Sequence, residues 1–253
     1  KKQCLESSLE TEVEQILETI LSSLEAMAKS RRAIKYEMKA SARQERFIQK
    51  KQKRKEKARE ARSGKSKPVL KQMIHSKCRI RIVLDCQFQH VMSHKDLRCC
   101  AQQIQHCYAL NRRLVDPIQL HLNGLQIPIS SVLQRLGVAN WDIHSDERNI
   151  TTAFDISQII YLTADSNNVL NQVDEANVYV IGAFVDHNSK KKLCLKYAEE
   201  HGLRHARLPI REHLKDIGIC VLPINIVFEM LTEFIRTENW KDAVVNTVPK
   251  RII

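Results

Sequence analysis

The segment 178–188, reading VYVIGAFVDHN, constrains this chain more than any other stretch. Val178 to Gly182 is an unbroken apolar run ending in glycine, and after Ala183, Phe184 and Val185 come Asp186, His187 and Asn188. A strand buried on both faces reads as a continuous apolar run, whereas a half-exposed strand alternates. A second run lies upstream, where Ile159-Ile160-Tyr161-Leu162 leads into Thr163-Ala164-Asp165-Ser166. In open α/β sheets ligands bind beyond the carboxyl ends of such strands. Two neighbouring buried strands therefore carry polar loops, with Asp186 and Asn188 in one and Thr163 and Asp165 in the other. That pattern specifies a site as well as a core.

The elements around these strands alternate. The pattern predicts strands over Ile80–Leu84, Ile118–Leu122, Ile159–Leu162, Val178–Ile181 and His205–Leu208. Ser93 and Asp96 form a capping-box start for a helix that places Leu97, Ala101, Ile104 and Tyr108 on one face. Further helices are expected at 167–173, 190–201, 223–237 and 239–246, with Gly202 at a helix C-cap. Residues 123–156 read as a short helix and loops. Strands alternating with helices imply a parallel sheet covered on both faces.

Charge divides the chain differently. Residues 30–67 hold 16 Lys or Arg against 4 Glu, a net of +12 that equals the formal charge of all 253 residues. A basic arm on an otherwise neutral domain points to a polyanion, with nucleic acid favoured over membrane. Residues 8–28 place Leu9, Val13, Ile16, Leu17, Ile20, Leu21, Leu24 and Met27 at helical spacing. That amphipathic helix needs a partner, either the domain or another chain. From Lys29 to Arg62 strong helix formers dominate, so the expected organisation is a helical, basic arm over 1–66, a linker over 67–78 and an α/β domain over 79–251.

Several chemistries are excluded. Gly64-Lys65-Ser66 imitates the end of a phosphate-binding loop, but position 59, where that motif needs glycine, is Arg59. No GxGxxG occurs, so a dinucleotide-binding Rossmann domain is unsupported. The eight cysteines form no CxxC pair, so neither a zinc site nor a disulfide framework is expected. Reduced, mostly buried thiols imply the cytosol, nucleus or mitochondrial matrix. No stretch approaches the ~18 apolar residues that span a bilayer. With Lys1 rather than methionine first, the sequence reads as trimmed, so that any original targeting segment would be missing from it.

Read together, IVLDC (82–86), QIQHCYALNRR (103–113), IIYLTADS (159–166), VYVIGAFVDHN (178–188), LCLKYAEEHGL (193–203), RLPI (207–210), VLPINIVFEML (221–231) and NWKDAVVNTVPKR (239–251) resemble one family. It is the tRNA position-9 purine N1-methyltransferases of the SPOUT class. The combination of YLTADS, the GxxVDxN segment and RLPI carries the specificity. The resemblance implies a C-terminal trefoil knot and S-adenosylmethionine as methyl donor. By position it implies a donor pocket of Leu162, Thr163, Gly182, Asp186, Asn188, Cys194, Leu208, Val221, Leu222 and Asn225. It implies Gln103, Arg112 and Arg113 as RNA contacts, and no metal. The sequence departs from the family at Ile226 and His106, where histidine and arginine are usual.

The acceptor implied is N1 of the purine, guanine foremost, at position 9 of tRNA. Guanine N1 must lose its proton as the carbon–nitrogen bond forms. Asp186 is the only carboxylate of the GxxVDxN loop and so the candidate catalytic residue. An ordinary carboxylate (pKa ~4) is a poor base for so weak an acid, so positioning and hydrogen bonding are expected of it. A loop-capping aspartate is the plainer alternative. Trp141 and Trp240 read as core or domain-edge residues. Two other functions stay open: a tRNA-binding scaffold in a mitochondrial processing complex, docked through the 8–28 helix, and a binding module without catalysis. A monomer of the nucleus or cytoplasm is expected, with the mitochondrial matrix as alternative.

Overall fold

The computed structural model describes residues 2–62, 70–187, 189–214 and 221–248. Two compact units emerge, Lys1–Pro68 and Val69–Ile253. The described part of the first is one helix, α1 (Lys2–Arg62). No glycine or proline occurs before Gly64, so nothing in the sequence interrupts it, and at 1.5 Å per residue it extends roughly 90 Å. Leu17, Ile20, Leu21 and Leu24 are each about half exposed on it. Among the described residues no helix is long and apolar enough to cross a membrane.

The second unit is built on six parallel strands: β1 (Arg81–Asp85), β2 (Gln119–Asn123), β3 (His144–Ser145), β4 (Ile159–Leu162), β5 (Val178–Gly182) and β6 (Arg204–Ala206). Their order is β3-β2-β1-β5-β4-β6. The central strands are buried on both faces, as continuous apolar runs require. Ile82, Leu84, Tyr179 and Ile181 belong to one core layer. Val83, Val178, Val180 and Tyr161 belong to the other. A full apolar side chain buried this way contributes about 1.5–3 kcal/mol, so the two layers fix strand register firmly.

Helices cover both layers. α2 (His94–Asn111), α3 (Ile129–Arg135), α7 (Ile224–Thr237) and α8 (Trp240–Thr247) supply residues to the larger layer. Residues of α4 (Ile150–Ala153) and α5 (Leu193–Glu200) join the smaller one, while α6 (Ile210–His213) follows β6. The capping box forms as read: Ser93 Oγ accepts the Asp96 N–H at 3.3 Å, and Asp96 Oδ2 accepts the Ser93 N–H at 3.3 Å. Gly202 takes φ +64 just past α5, a left-handed angle that suits glycine. Trp240 stacks on Phe234 at 4.0 Å and donates its indole N–H to the Asn171 carbonyl. Trp141 stacks on Tyr108 at 4.7 Å.

Two expectations fail locally. No helix forms at 167–173. That chain pairs instead with the segment after β6: the Leu170 N–H donates to the Arg207 carbonyl and the Arg207 N–H to the Asn168 carbonyl, each at 2.8 Å. Long-range backbone pairing there outcompetes weak local helix propensity. The helix expected from 190 starts only at Leu193, because Lys192 holds a left-handed angle. α6 and β3 were not legible in the pattern.

Candidate functional site

β4 and β5 run in register, Leu162 opposite Ile181. Their following loops therefore emerge side by side from the same edge of the sheet. Between these loops opens a cavity of about 730 Å³, within the range of small-molecule and cofactor sites. Leu162, Thr163 and Asp165 line one wall, and Gly182 and Asp186 another. Cys194 on α5 faces it, and Leu208, Val221 and Leu222 close it from the later loops. Gln103 on α2 also reaches it.

The floor is tight at Gly182. A Cβ there would lie 2.8 Å from Cys194 Sγ and 3.0 Å from the Phe184 ring. Glycine is needed for space, since its φ is not left-handed.

Carboxylates organise the rim. Asp186 Oδ2 accepts the Lys190 N–H at 2.7 Å, and its carbonyl accepts the Ser189 N–H at 3.0 Å. The side chain thus caps its own turn while lining the cavity. Asp165 Oδ2 accepts the Lys192 N–H at 3.1 Å. His187, at φ +50, pairs with Asp96 at 3.0 Å. Among the described residues no three His, Cys, Asp or Glu side chains converge as a metal site requires.

A buried acid lies behind the floor. Asp85 ends β1 opposite Gly182 and is 0% exposed. It accepts hydrogen bonds from Tyr161 Oη at 2.8 Å, Gln87 Nε2 at 2.6 Å and the Gln87 N–H at 3.2 Å. Burial pushes its pKa from 3.8 up to about 6, against the lowering effect of those donors. Below about pH 4 the acid is neutral in both folded and unfolded chains. As pH rises from ~4 to ~6 the unfolded chain ionises first, so stability falls; above ~6 the deficit is complete, about 3 kcal/mol at 1.36 kcal/mol per pKa unit. Asp85→Asn should therefore be about 1–3 kcal/mol more stable than wild type at pH 7.5 and equal to it near pH 4. Urea unfolding across that range checks this; parallel pH profiles for the two proteins would show that Asp85 does not titrate there.

The expected site residues divide. Leu162, Thr163, Gly182, Asp186, Cys194, Leu208, Val221, Leu222 and Gln103 meet at the one cavity. Asn225, half-buried in the first turn of α7, is not among its lining residues. Asn188 lies outside the described residues. Gln103, read as an RNA contact, has a partner within the domain: its Oε1 accepts the Ile224 N–H at 2.8 Å, capping α7. Arg112 and Arg113 follow the far end of α2, roughly 13 Å along the axis from Gln103, and do not line the cavity. The Arg112 guanidinium lies 5.5 Å from the Tyr108 ring centre. The pattern missed the basic side of the rim, Lys190, Lys191, Arg207 and Arg211. The Lys190–Lys192 run and the arginine of RLPI were the available signals.

Comparison with known proteins places this geometry. Residues 22–253 match the family model described as tRNA (guanine(9)-N(1))-methyltransferase TRM10/TRM10A. The chain is 38% identical over 188 residues to tRNA methyltransferase 10 homolog A of Homo sapiens, covering 73% of this chain and 55% of the relative. It is 33% identical over 178 residues to the tRNA (guanine(9)-N1)-methyltransferase of Schizosaccharomyces pombe, covering 68% and 59%. It thus spans little more than half the length of these curated relatives. The crystal structure of full-length spTrm10 in complex with SAH superposes with a TM-score of 0.65 at 31% identity, covering 73% of this chain and 100% of that one. The dual-specific Trm10 of Thermococcus kodakaraensis shares the fold, with a TM-score of 0.52 at 16% identity, covering 66% and 99%. The chain belongs to the tRNA (guanine(9)-N(1))-methyltransferase TRM10/TRM10A family.

Proposed function

We propose that this chain transfers a methyl group from S-adenosylmethionine to N1 of the purine, guanine foremost, at position 9 of tRNA. One observation carries the reading: the cavity beyond β4 and β5 is walled by the very loops that bear the YLTADS, VDHN and RLPI residues, in the fold of a relative solved with SAH. The chemistry of the wall fits such a donor. Ile181, Leu208, Val221 and Leu222 offer an apolar bed for a nucleoside, and the missing side chain at Gly182 leaves room for Cys194 and Phe184 to close the floor beneath it. Asp165 and Asp186 put negative charge near a ligand that carries a sulfonium. Leu162, Thr163, Gly182, Cys194, Leu208, Val221 and Leu222 are assigned to the donor, with Asn188 and Asn225 as further candidates.

The donor, when bound, supplies an activated methyl group. The chain's part is to orient the acceptor and keep the site dry. Asp186 faces the cavity with one oxygen held by the Lys190 N–H, which suits a carboxylate that receives a hydrogen bond from the base and positions it. Lys190, Lys191 and Arg211 on the rim and the basic α1 are suited to phosphates. A C-terminal trefoil knot is part of this reading, supported by the parallel sheet this chain has in common with the fold of its relatives.

The test is a methylation assay beside a donor titration. S-adenosylmethionine at saturation should raise the thermal midpoint by mass action, and transcripts with guanine at position 9 should gain one methyl at N1. Asp186→Asn keeps an acceptor for the Lys190 N–H but takes up no proton. Under positioning it should lose about 10-fold or less in single-turnover rate, whereas a general base contributes about 10²–10⁴-fold. A loss beyond a thousand-fold with donor and tRNA affinity intact makes Asp186 the base. No midpoint shift and no methyl transfer in folded protein would defeat the methyltransferase reading.

A further inference from the structure

We infer that Asp165 is a positioning residue, whose carboxylate fixes the 190–193 wall of the cavity by holding Lys192 in a left-handed backbone conformation. Lys192 has φ +58 and ψ 15. A residue with a Cβ pays about 1–2 kcal/mol for that region and stays there only where its surroundings enforce it. The enforcing contact is long-range: the Lys192 N–H donates to Asp165 Oδ2 at 3.1 Å across 27 residues of sequence. Asp165 itself is anchored, because the Thr163 N–H donates to the Ala206 carbonyl at 2.9 Å and Thr163 Oγ1 accepts the Asp165 N–H at 3.4 Å.

The consequence reaches the cavity from both sides of Lys192. Lys190 and Lys191 precede it and line the rim, while Leu193 and Cys194 follow it and line the wall. α5 begins at Leu193, so the Lys192 angle sets the direction in which that helix leaves. That direction decides whether Cys194 Sγ seats over Gly182. The other end of the segment is held separately, by the Asp186 carboxylate on the Lys190 N–H. Asp165 is thus the second of two acidic clamps on one short wall, and its loop is the one shared with Leu162 and Thr163.

The affinity part of the test rests on the donor reading above; the exchange part does not. The 253-residue chain as wild type, Asp165→Ala, Asp165→Asn and Asp165→Ala/Lys192→Gly are compared. Without ligand, hydrogen exchange at the Lys192 amide should quicken at least 10-fold in Asp165→Ala, with the amides of Tyr197–Glu200 unchanged. Asp165→Asn retains an acceptor oxygen and should stay close to wild type. By titration calorimetry the Kd for S-adenosylhomocysteine should rise about 10-fold in Asp165→Ala, the scale of losing one hydrogen bond to a charged group. It should return to within about 3-fold of wild type in the double variant, because glycine adopts the left-handed angle without help. Unchanged exchange in Asp165→Ala overturns the inference. So does an affinity loss that Lys192→Gly leaves in place, which would mean that Asp165 touches the ligand directly. If wild type takes up no S-adenosylhomocysteine, the donor reading falls, and the exchange result still decides the clamp.

Discussion

Gly182→Val should abolish donor binding, raising the Kd for S-adenosylmethionine by 100-fold or more. The first added atom already meets Cys194 Sγ at 2.8 Å and the Phe184 ring at 3.0 Å. Two further methyl carbons have nowhere to go except into the cavity. Overpacking of this kind typically costs about 1–3 kcal/mol in stability. The chain can relieve it by turning the Cys194 side chain or by moving α5 or Phe184, all of which bound the site. Gly182→Ala separates the two effects. Its single methyl should lower the thermal midpoint, and Cys194→Ala, by removing the nearest atom, should restore part of that loss in the double variant; coupled residues in contact behave non-additively in this way. Calorimetric titration of folded Gly182→Val decides the matter, and a Kd within about 3-fold of wild type would show that the floor at Gly182 is not part of the donor site.

Much of this site was legible because its supporting strands are buried on both faces. Runs such as Val178–Ile181 and Ile159–Leu162 admit few other readings, and both strands appear with those residues paired. The Ser93–Asp96 box and Gly202 were legible for a related reason: caps are local chemistry, decided within a few residues. What the pattern hid is long-range. The Asn168–Leu170 segment follows Arg207 rather than its own helix propensity. Gln103 finds Ile224 across 121 residues. Asp85 at the end of an apolar run gives no sign that Tyr161 donates to it from another strand. Lys192 in a run of three lysines does not announce a left-handed angle, because that angle is imposed by Asp165. The family motifs therefore led to most of the residues they named at the cavity, Asn225 excepted, but not to its basic rim nor to the groups that hold the loops in place.

Deleting residues 1–68 should cost at least 100-fold in tRNA affinity at low salt while leaving donor affinity within about 2-fold of the full chain. The reasoning is electrostatic. Segment 30–67 carries a net +12, and its described part lies on one continuous helix with residues 35–53 exposed. Every phosphate neutralised by such side chains releases counterions, so log Kd rises with log salt by about 0.7–0.9 per contact. Six or more contacts would give a slope of about −4 to −5 in log affinity, and their loss should flatten the curve by that amount. Donor affinity stays, since every residue lining the cavity belongs to the Val69–Ile253 unit. The measurement is a binding titration of the 253-residue and shortened chains against one tRNA transcript at four salt concentrations. A shortened chain with the same affinity and the same slope would remove tRNA from α1, and the half-exposed Leu17, Ile20, Leu21 and Leu24 would then mark the helix as a surface for protein rather than RNA.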